Sequence, residues 1–207
     1  MTKPILYSFR RCPYAMRARL AIASAGITTE LREIVLRDKA PEFTLASPKA
    51  TVPILLLADQ TLEESLDIMI WALSQNDPEG WLKMPDHDLI KEADGPFKEA
   101  LDRTKYATRY EDADPDTERQ KANSFLGKIT AHLTPYLGGA KPNLTDISIL
   151  PFVRQFANID RPRFDADHEP RLISWLDEFL TSDRFQAIMS KYPKWKAGDP
   201  PTFFPAS

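Results

Sequence analysis

The strongest constraint on the fold is a change of pattern near residue 75. Before it, short apolar runs alternate with helical segments; after it, strand patterns almost vanish. Ile5-Leu6-Tyr7-Ser8-Phe9 reads as a strand. Pro13 to Ala25 reads as a helix that closes at Gly26, a position suited to a left-handed backbone. Leu31 to Leu36 reads as a second strand, followed by a helical segment around Lys39 to Ala46. Pro53 to Leu57 has the composition of a buried strand, Thr61 to Glu63 of a short last one, and Ser65 to Ser74 of a helix. The order βαβαββα predicts a small α/β domain over 1–75. The polar stretch 76–88 reads as a linker. Four long helices are expected in 89–207: Leu89 to Tyr110, Thr117 to Leu137, a helix opened by Asn143, and Pro170 to Tyr192. Asn143 and Asp146 have the spacing of a capping box, and Pro151 lies inside that helix.

Composition removes several classes of function. A formal charge of −3 over 207 residues gives no reason to expect a nucleic-acid or anionic-membrane partner. The longest apolar run, Val52 to Ala58, is far short of a membrane span, and the first residues lack the pattern of a signal peptide. A cytoplasmic location is the expectation. The 7 glycines are scattered so that no Gly-x-Gly-x-x-Gly or P-loop can be written, which argues against a nucleotide held on glycine-rich backbone. With one cysteine and 3 histidines, none at helical ligand spacing, neither an internal disulfide nor a metal site is expected.

The single cysteine, Cys12, falls between the first strand and a helix that begins with Pro13. Proline suits the first helical position, so Cys12 is expected at or beside the N-cap, where free amides and the helix dipole favour an anion. Arg10, Arg11, Arg17 and Arg19 add positive charge nearby. Thiols in such settings are often reactive thiolates at neutral pH, whereas a lone cysteine elsewhere is commonly buried and inert; the residues alone leave both open. A Cys-x-x-Cys pair would place a second thiol at position 15, which is Ala15. The sequence therefore holds no second thiol to resolve a mixed disulfide on Cys12, which would have to be released by an external thiol.

Arg11-Cys12-Pro13-Tyr14-Ala15-Met16-Arg17-Ala18-Arg19-Leu20, ending in Gly26-Ile27, resembles the active-site segment of the omega (cysteine-type) class of cytosolic glutathione transferases. Three further blocks agree: Lys39, Thr51-Val52-Pro53 and Glu63-Glu64-Ser65. The resemblance implies an α/β thioredoxin-like N-terminal domain followed by an all-α C-terminal domain that forms the acceptor side. It implies glutathione as co-substrate, no metal, and Cys12 as the catalytic nucleophile. Glutathione-binding roles are implied for Lys39, which helps hold the peptide, and for Val52, whose backbone pairs with the cysteinyl part beside a cis Pro53. Glu64 and Ser65 would take the γ-glutamyl ammonium and carboxylate; read alone, Glu64 is a solvated charge and Ser65 a helix cap. Two departures stand out: Ala50 where the family often has Gly, and Asn143 where Ser or Thr is commoner.

The implied chemistry is thiol transfer, deglutathionylation or reduction of disulfide or dehydroascorbate-like acceptors, with a small hydrophobic or disulfide acceptor as partner. Homodimers are usual in the family, and some relatives are monomers. Two alternatives remain: a non-enzymatic, glutathione-transferase-like binding or regulatory protein, and a glutaredoxin-2-like reductase, which Ala15 disfavours. Tyr106 and Tyr110, at i and i+4 on the first long helix, are either acceptor-site residues or core. Trp195, Phe203 and Phe204 in the tail either cover the cysteine cleft or pack on the helical domain.

Overall fold

The computed structural model describes residues 3–205. Two compact units are present. The first comprises the chain up to Gly80 together with the residues from Ser182 on, and the second is Trp81–Thr181. The first is thioredoxin-like and the second helical.

In the first unit the element order is β1 (Ile5–Ser8), α1 (Pro13–Ser24), β2 (Thr29–Glu33), α2 (Pro41–Ala46), β3 (Ile54–Leu56), β4 (Thr61–Leu62) and α3 (Ser65–Gln75). These reproduce the expected βαβαββα order, with β2 starting two residues earlier than its apolar run suggested. The chain end adds α10 (Asp183–Ile188) and β5 (Phe203–Phe204). The sheet order is β4-β3-β1-β2-β5, with β1 and β2 parallel and the remaining pairs antiparallel. Strand side chains alternate between faces. Tyr7, with Ile5 and Phe9, joins a cluster with Phe43 of α2, Ala50, Val52, Ile54 and Trp195. The alternate residue Ser8 faces α1, where it accepts a hydrogen bond from Arg19. α1 packs on α3 and on α10.

α1 ends as its composition predicted. Gly26 has φ of 69°, the Gly26 N–H donates to the Ala23 carbonyl and the Ile27 N–H to the Ile22 carbonyl, a Schellman ending. Between its ends α1 is buried on nearly every side, Arg17 and Arg19 included.

The tail corrects the expected domain division. Among the described residues, 182–205 group with the thioredoxin-like unit and not with a helical domain beginning at 89. Phe204 pairs with Thr29 and Phe203 with Glu30, and Trp195 donates its backbone N–H to the Glu33 carbonyl at 2.9 Å. The Trp195 ring meets Tyr7 edge-on at 5.9 Å and lies under the Arg32 guanidinium at 4.3 Å. The three tail aromatics therefore belong to the thioredoxin-like unit, because the open edge of β2 offers unpaired backbone groups and Tyr7 an aromatic face. The long helix expected over Pro170 to Tyr192 stops at Thr181, and Ser182 caps α10 by accepting the Phe185 N–H.

The second unit contains α4 (His87–Glu92), α5 (Lys98–Lys105), α6 (Pro115–His132), α7 (Leu144–Ala157), α8 (Arg161–Asp167) and α9 (Pro170–Thr181). The helix expected from Leu89 to Tyr110 is interrupted by a π turn over Ala93–Phe97, which accommodates Pro96 without its N–H. It also ends early: Tyr106 is the cap of α5, and Tyr110 follows a separate 3-10 turn. The two tyrosines therefore do not share a helical face; Arg109 stacks on Tyr106 and Arg103 on Tyr110. The expected linker is also structured. Trp81 is buried and its carbonyl accepts the Leu144 N–H, while the Asp86 N–H donates to Thr145 Oγ1 and the Asn143 side chain donates to the Lys83 and Met84 carbonyls.

α7 is the buried centre of this unit, and its capping box is formed by Asn143 and Asp146. The Asp146 carboxylate accepts from the Leu137, Gly138 and Asn143 amides and from the Trp175 indole, at 2.8, 2.9, 3.0 and 2.9 Å. Burial pushes this carboxyl above its ordinary value, and the N–H donors pull it back. Gly138 has no room for a side chain, since a Cβ would lie 2.6 Å from the Lys141 carbonyl oxygen. Asp146→Ala leaves four converging donors without an acceptor and should lower stability by about 3 kcal/mol or more. A urea-unfolding midpoint unchanged from the parent would contradict this account.

Candidate functional site

The residues expected to bind glutathione or react with it lie on the first unit, at the end of β1, on the loops leading into α1, α2 and β3, and at the start of α3. β1 ends at Ser8, and the chain turns through Phe9 to Cys12, where the Cys12 N–H donates to the Phe9 carbonyl at 3.0 Å. Cys12 is the N-cap residue of α1, with extended backbone, followed by Pro13 at the first helical position. Its side chain makes no capping bond. It points across to the turn before β3, where Sγ donates to the Val52 carbonyl oxygen at 3.6 Å. The Val52–Pro53 peptide is cis, as the resemblance implied. Cys12 also packs at the border of the cluster containing Val52, Ala50 and Trp195, so it is half-buried rather than enclosed.

Ala50 explains one departure from the family pattern. Its φ is 47°, in the left-handed region that favours glycine, and it is buried beside Val52. Alanine is the smallest side chain that pays a penalty there, and its methyl is absorbed by the cluster.

The other expected residues divide into two groups. Glu64 and Ser65 stand at the start of α3, but Glu64 is its N-cap position and Ser65 its first residue, so Ser65 is not the cap. Ser65 is buried, whereas Glu64 is exposed and ion-paired with Lys49 at 2.9 Å. The neighbouring Glu63 accepts a hydrogen bond from Ser47. Lys39 is exposed ahead of α2 and makes no ion pair or hydrogen bond among the described residues. The structure thus joins Cys12 to Val52 and Glu64 to Ser65, and leaves Lys39 unattached to either. Lys49 was missed from the sequence; only the fold brings its loop to Glu64.

Glu33 was missed as well, and Arg19 was read only as one of four positive charges near Cys12. Arg19, fully buried in α1, donates Nη1 to Ser8 Oγ at 2.6 Å and Nη2 to the Arg10 carbonyl at 2.7 Å. The Arg10 N–H in turn donates to Glu33 Oε1 at 2.7 Å. Loss of water pulls the Arg19 guanidinium down to about 10, against the attraction of Glu33 and of Cys12. Burial pushes the Glu33 carboxyl up, opposed by the Arg10 amide and by Arg19. Among the described residues no group of three or more His, Cys, Asp or Glu side chains is placed to hold a metal ion. Nor is any helix there long and apolar enough to cross a membrane.

Residues 6–80 match the family model of the glutathione S-transferase N-terminal domain. The first domain of this chain is therefore of the glutathione transferase family. Over its length the chain is similar to glutathione S-transferase omega-1 of Sus scrofa, with 23% identity over 192 residues, covering 88% of this chain and 79% of the relative. Among solved structures it superposes on glutathione transferase Omega 3C from Trametes versicolor with a TM-score of 0.75 and 19% identity, covering 93% of this chain and 91% of that one. A glutathione transferase family member from Pseudomonas fluorescens, solved with two glutathione molecules bound, gives a TM-score of 0.75 at 20% identity, covering 90% and 92%. These structures share its fold.

The Ala50 geometry yields a prediction for this loop. Ala50→Val places a β-branched side chain at positive φ and should cost about 1 kcal/mol or more, although it keeps an apolar residue in an apolar cluster. Chemical unfolding of the two proteins side by side tests it, and equal midpoints would remove the backbone argument.

Proposed function

We propose that this chain is a glutathione-dependent thiol transferase of the cysteine type, with Cys12 as nucleophile and Lys39, Val52, Glu64 and Ser65 as glutathione-binding residues. The observation that carries the reading is the placement of the Cys12 sulfur: at the N-terminus of α1 and in contact with the carbonyl of Val52. A helix N-terminus favours the thiolate. A backbone carbonyl beside it offers a peptide ligand a strand-like partner. Deprotonation removes the donor from Sγ, so the Val52 carbonyl becomes available to an incoming peptide N–H as the sulfur becomes reactive.

In the proposed cycle the Cys12 thiolate attacks the glutathione sulfur of a glutathionylated substrate. The substrate's S–S bond breaks, its thiolate leaves and is protonated by solvent, and a Cys12–glutathione disulfide forms. A second glutathione thiolate then attacks the glutathione sulfur of that disulfide, releasing Cys12 thiolate and glutathione disulfide. The external thiol is required because position 15 is alanine, buried in α1. The buried start of α3 at Ser65 suits a carboxylate, and the exposed Glu64 suits an ammonium group once Lys49 swings aside. A small hydrophobic or disulfide acceptor is the expected second substrate. A reaction consuming reduced glutathione belongs in the reducing cytoplasm.

Cys12→Ser should lower turnover of hydroxyethyl disulfide with glutathione by at least about 100-fold while the protein is still retained on immobilised glutathione. Undiminished turnover in that variant overturns the mechanism. Retention of the parent protein without any turnover would instead favour a binding module.

A further inference from the structure

The proposed chemistry leaves two buried charged side chains behind the Cys12 loop without a task. Arg19 lies seven residues after Cys12, two helical turns along one side of α1. Helical side chains lean toward the helix N-terminus, and this one does so far enough to reach the Arg10 carbonyl, two residues before Cys12. The residue is only 1% exposed, its Nε has no hydrogen-bond partner, and among the described residues it makes no ion pair with a carboxylate. Its charge therefore acts through space, in surroundings that screen it poorly. Glu33, at the end of β2, holds the same loop from the other side through the Arg10 N–H, and its second oxygen, Oε2, is buried without a partner.

We propose that Arg19 and Glu33 are an opposed pair of positioning residues that set the thiolate fraction of Cys12. Both grip the backbone of Arg10, so both hold the loop in place, but their charges act on Cys12 with opposite sign. Arg19 favours the thiolate, and Glu33, when ionised, offsets part of that field. The other ionisable groups facing this pair are Arg10 and Tyr192. Arg10 has the same sign as Arg19. Burial holds the Tyr192 hydroxyl above its ordinary range, so it stays neutral where a reactive thiol titrates. The proposal deepens the reading of Cys12 as nucleophile and rests on it.

The test uses the pH dependence of iodoacetamide alkylation in the full chain. Cys12 is the only cysteine, so the reaction reports on that sulfur alone. Arg19→Gln should move the midpoint of the profile upward by about one pH unit, and Arg19→Lys, which keeps the charge, should restore most of it. Glu33→Gln, which keeps an oxygen for the Arg10 N–H, should move the midpoint downward. A role confined to holding the loop predicts no such opposition of sign. Shifts in the same direction, or no shift in folded variants, overturn the proposal. If Arg19→Gln fails to fold, the direction of the Glu33→Gln shift decides alone: downward supports the pair, upward or none overturns it. The readout is independent of glutathione turnover. Full turnover by Cys12→Ser would therefore overturn the nucleophile reading while leaving the alkylation result to stand or fall separately.

Discussion

Taking a guanidinium out of water is costly unless its N–H groups find acceptors, and the first unit is arranged around meeting that demand for Arg19. The acceptors are Ser8 at the end of β1 and the carbonyl of Arg10 in the following loop. Their use ties the last residue of a central strand to the middle of the first helix. The loop between them then has little freedom, and Glu33 removes more by taking the Arg10 amide. Cys12 sits at the end of this braced segment. Its position reflects a buried charge two helical turns away as much as its own contacts.

A second brace comes from the other face of the sheet. Phe43, Val52, Tyr7 and Trp195 share one apolar cluster, and the cis turn that carries Val52 to Cys12 belongs to it. Trp195 arrives from the far end of the chain and bonds to the Glu33 backbone. The residue whose carboxylate holds the Cys12 loop is thus itself held by the C-terminal tail. Removing apolar surface from that cluster would loosen the turn and the loop together, since close-packed side chains transmit displacement.

Much of this was legible in advance. The βαβαββα order followed from alternating periodicities, the end of α1 from Gly26, and the capping of α7 from Asn143 and Asp146, because each depends on neighbours within a few residues. The cis Val52–Pro53 peptide followed from the family resemblance, whereas the contact of Cys12 with the Val52 carbonyl is seen only in the fold. Errors fell where distant residues decide or where a local break interrupts the period. The structured stretch after Gly80 is set by partners such as Leu144 and Thr145 that no local window contains, whereas the π turn at Pro96 and the Ser182 cap before α10 have local causes that periodicity does not report. Lys39 and Lys49 are chemically alike and both lie near α2 in sequence, yet only the path of the chain brings Lys49 to Glu64.

The sequence by itself determined a strand-to-helix junction with one thiol at a helix N-terminus, no second thiol within reach, and two differently patterned halves. These are properties of local backbone preference and of residue count, which need no partner. Tertiary structure alone decided that two arginines of α1 are buried, that Glu33 holds the Arg10 amide beside one of them, and that Phe203 and Phe204 complete the sheet of the first unit. Burial and through-space charge depend on which surfaces meet, and strand pairing across some 170 residues depends on an open edge being available. None of these has a local signature.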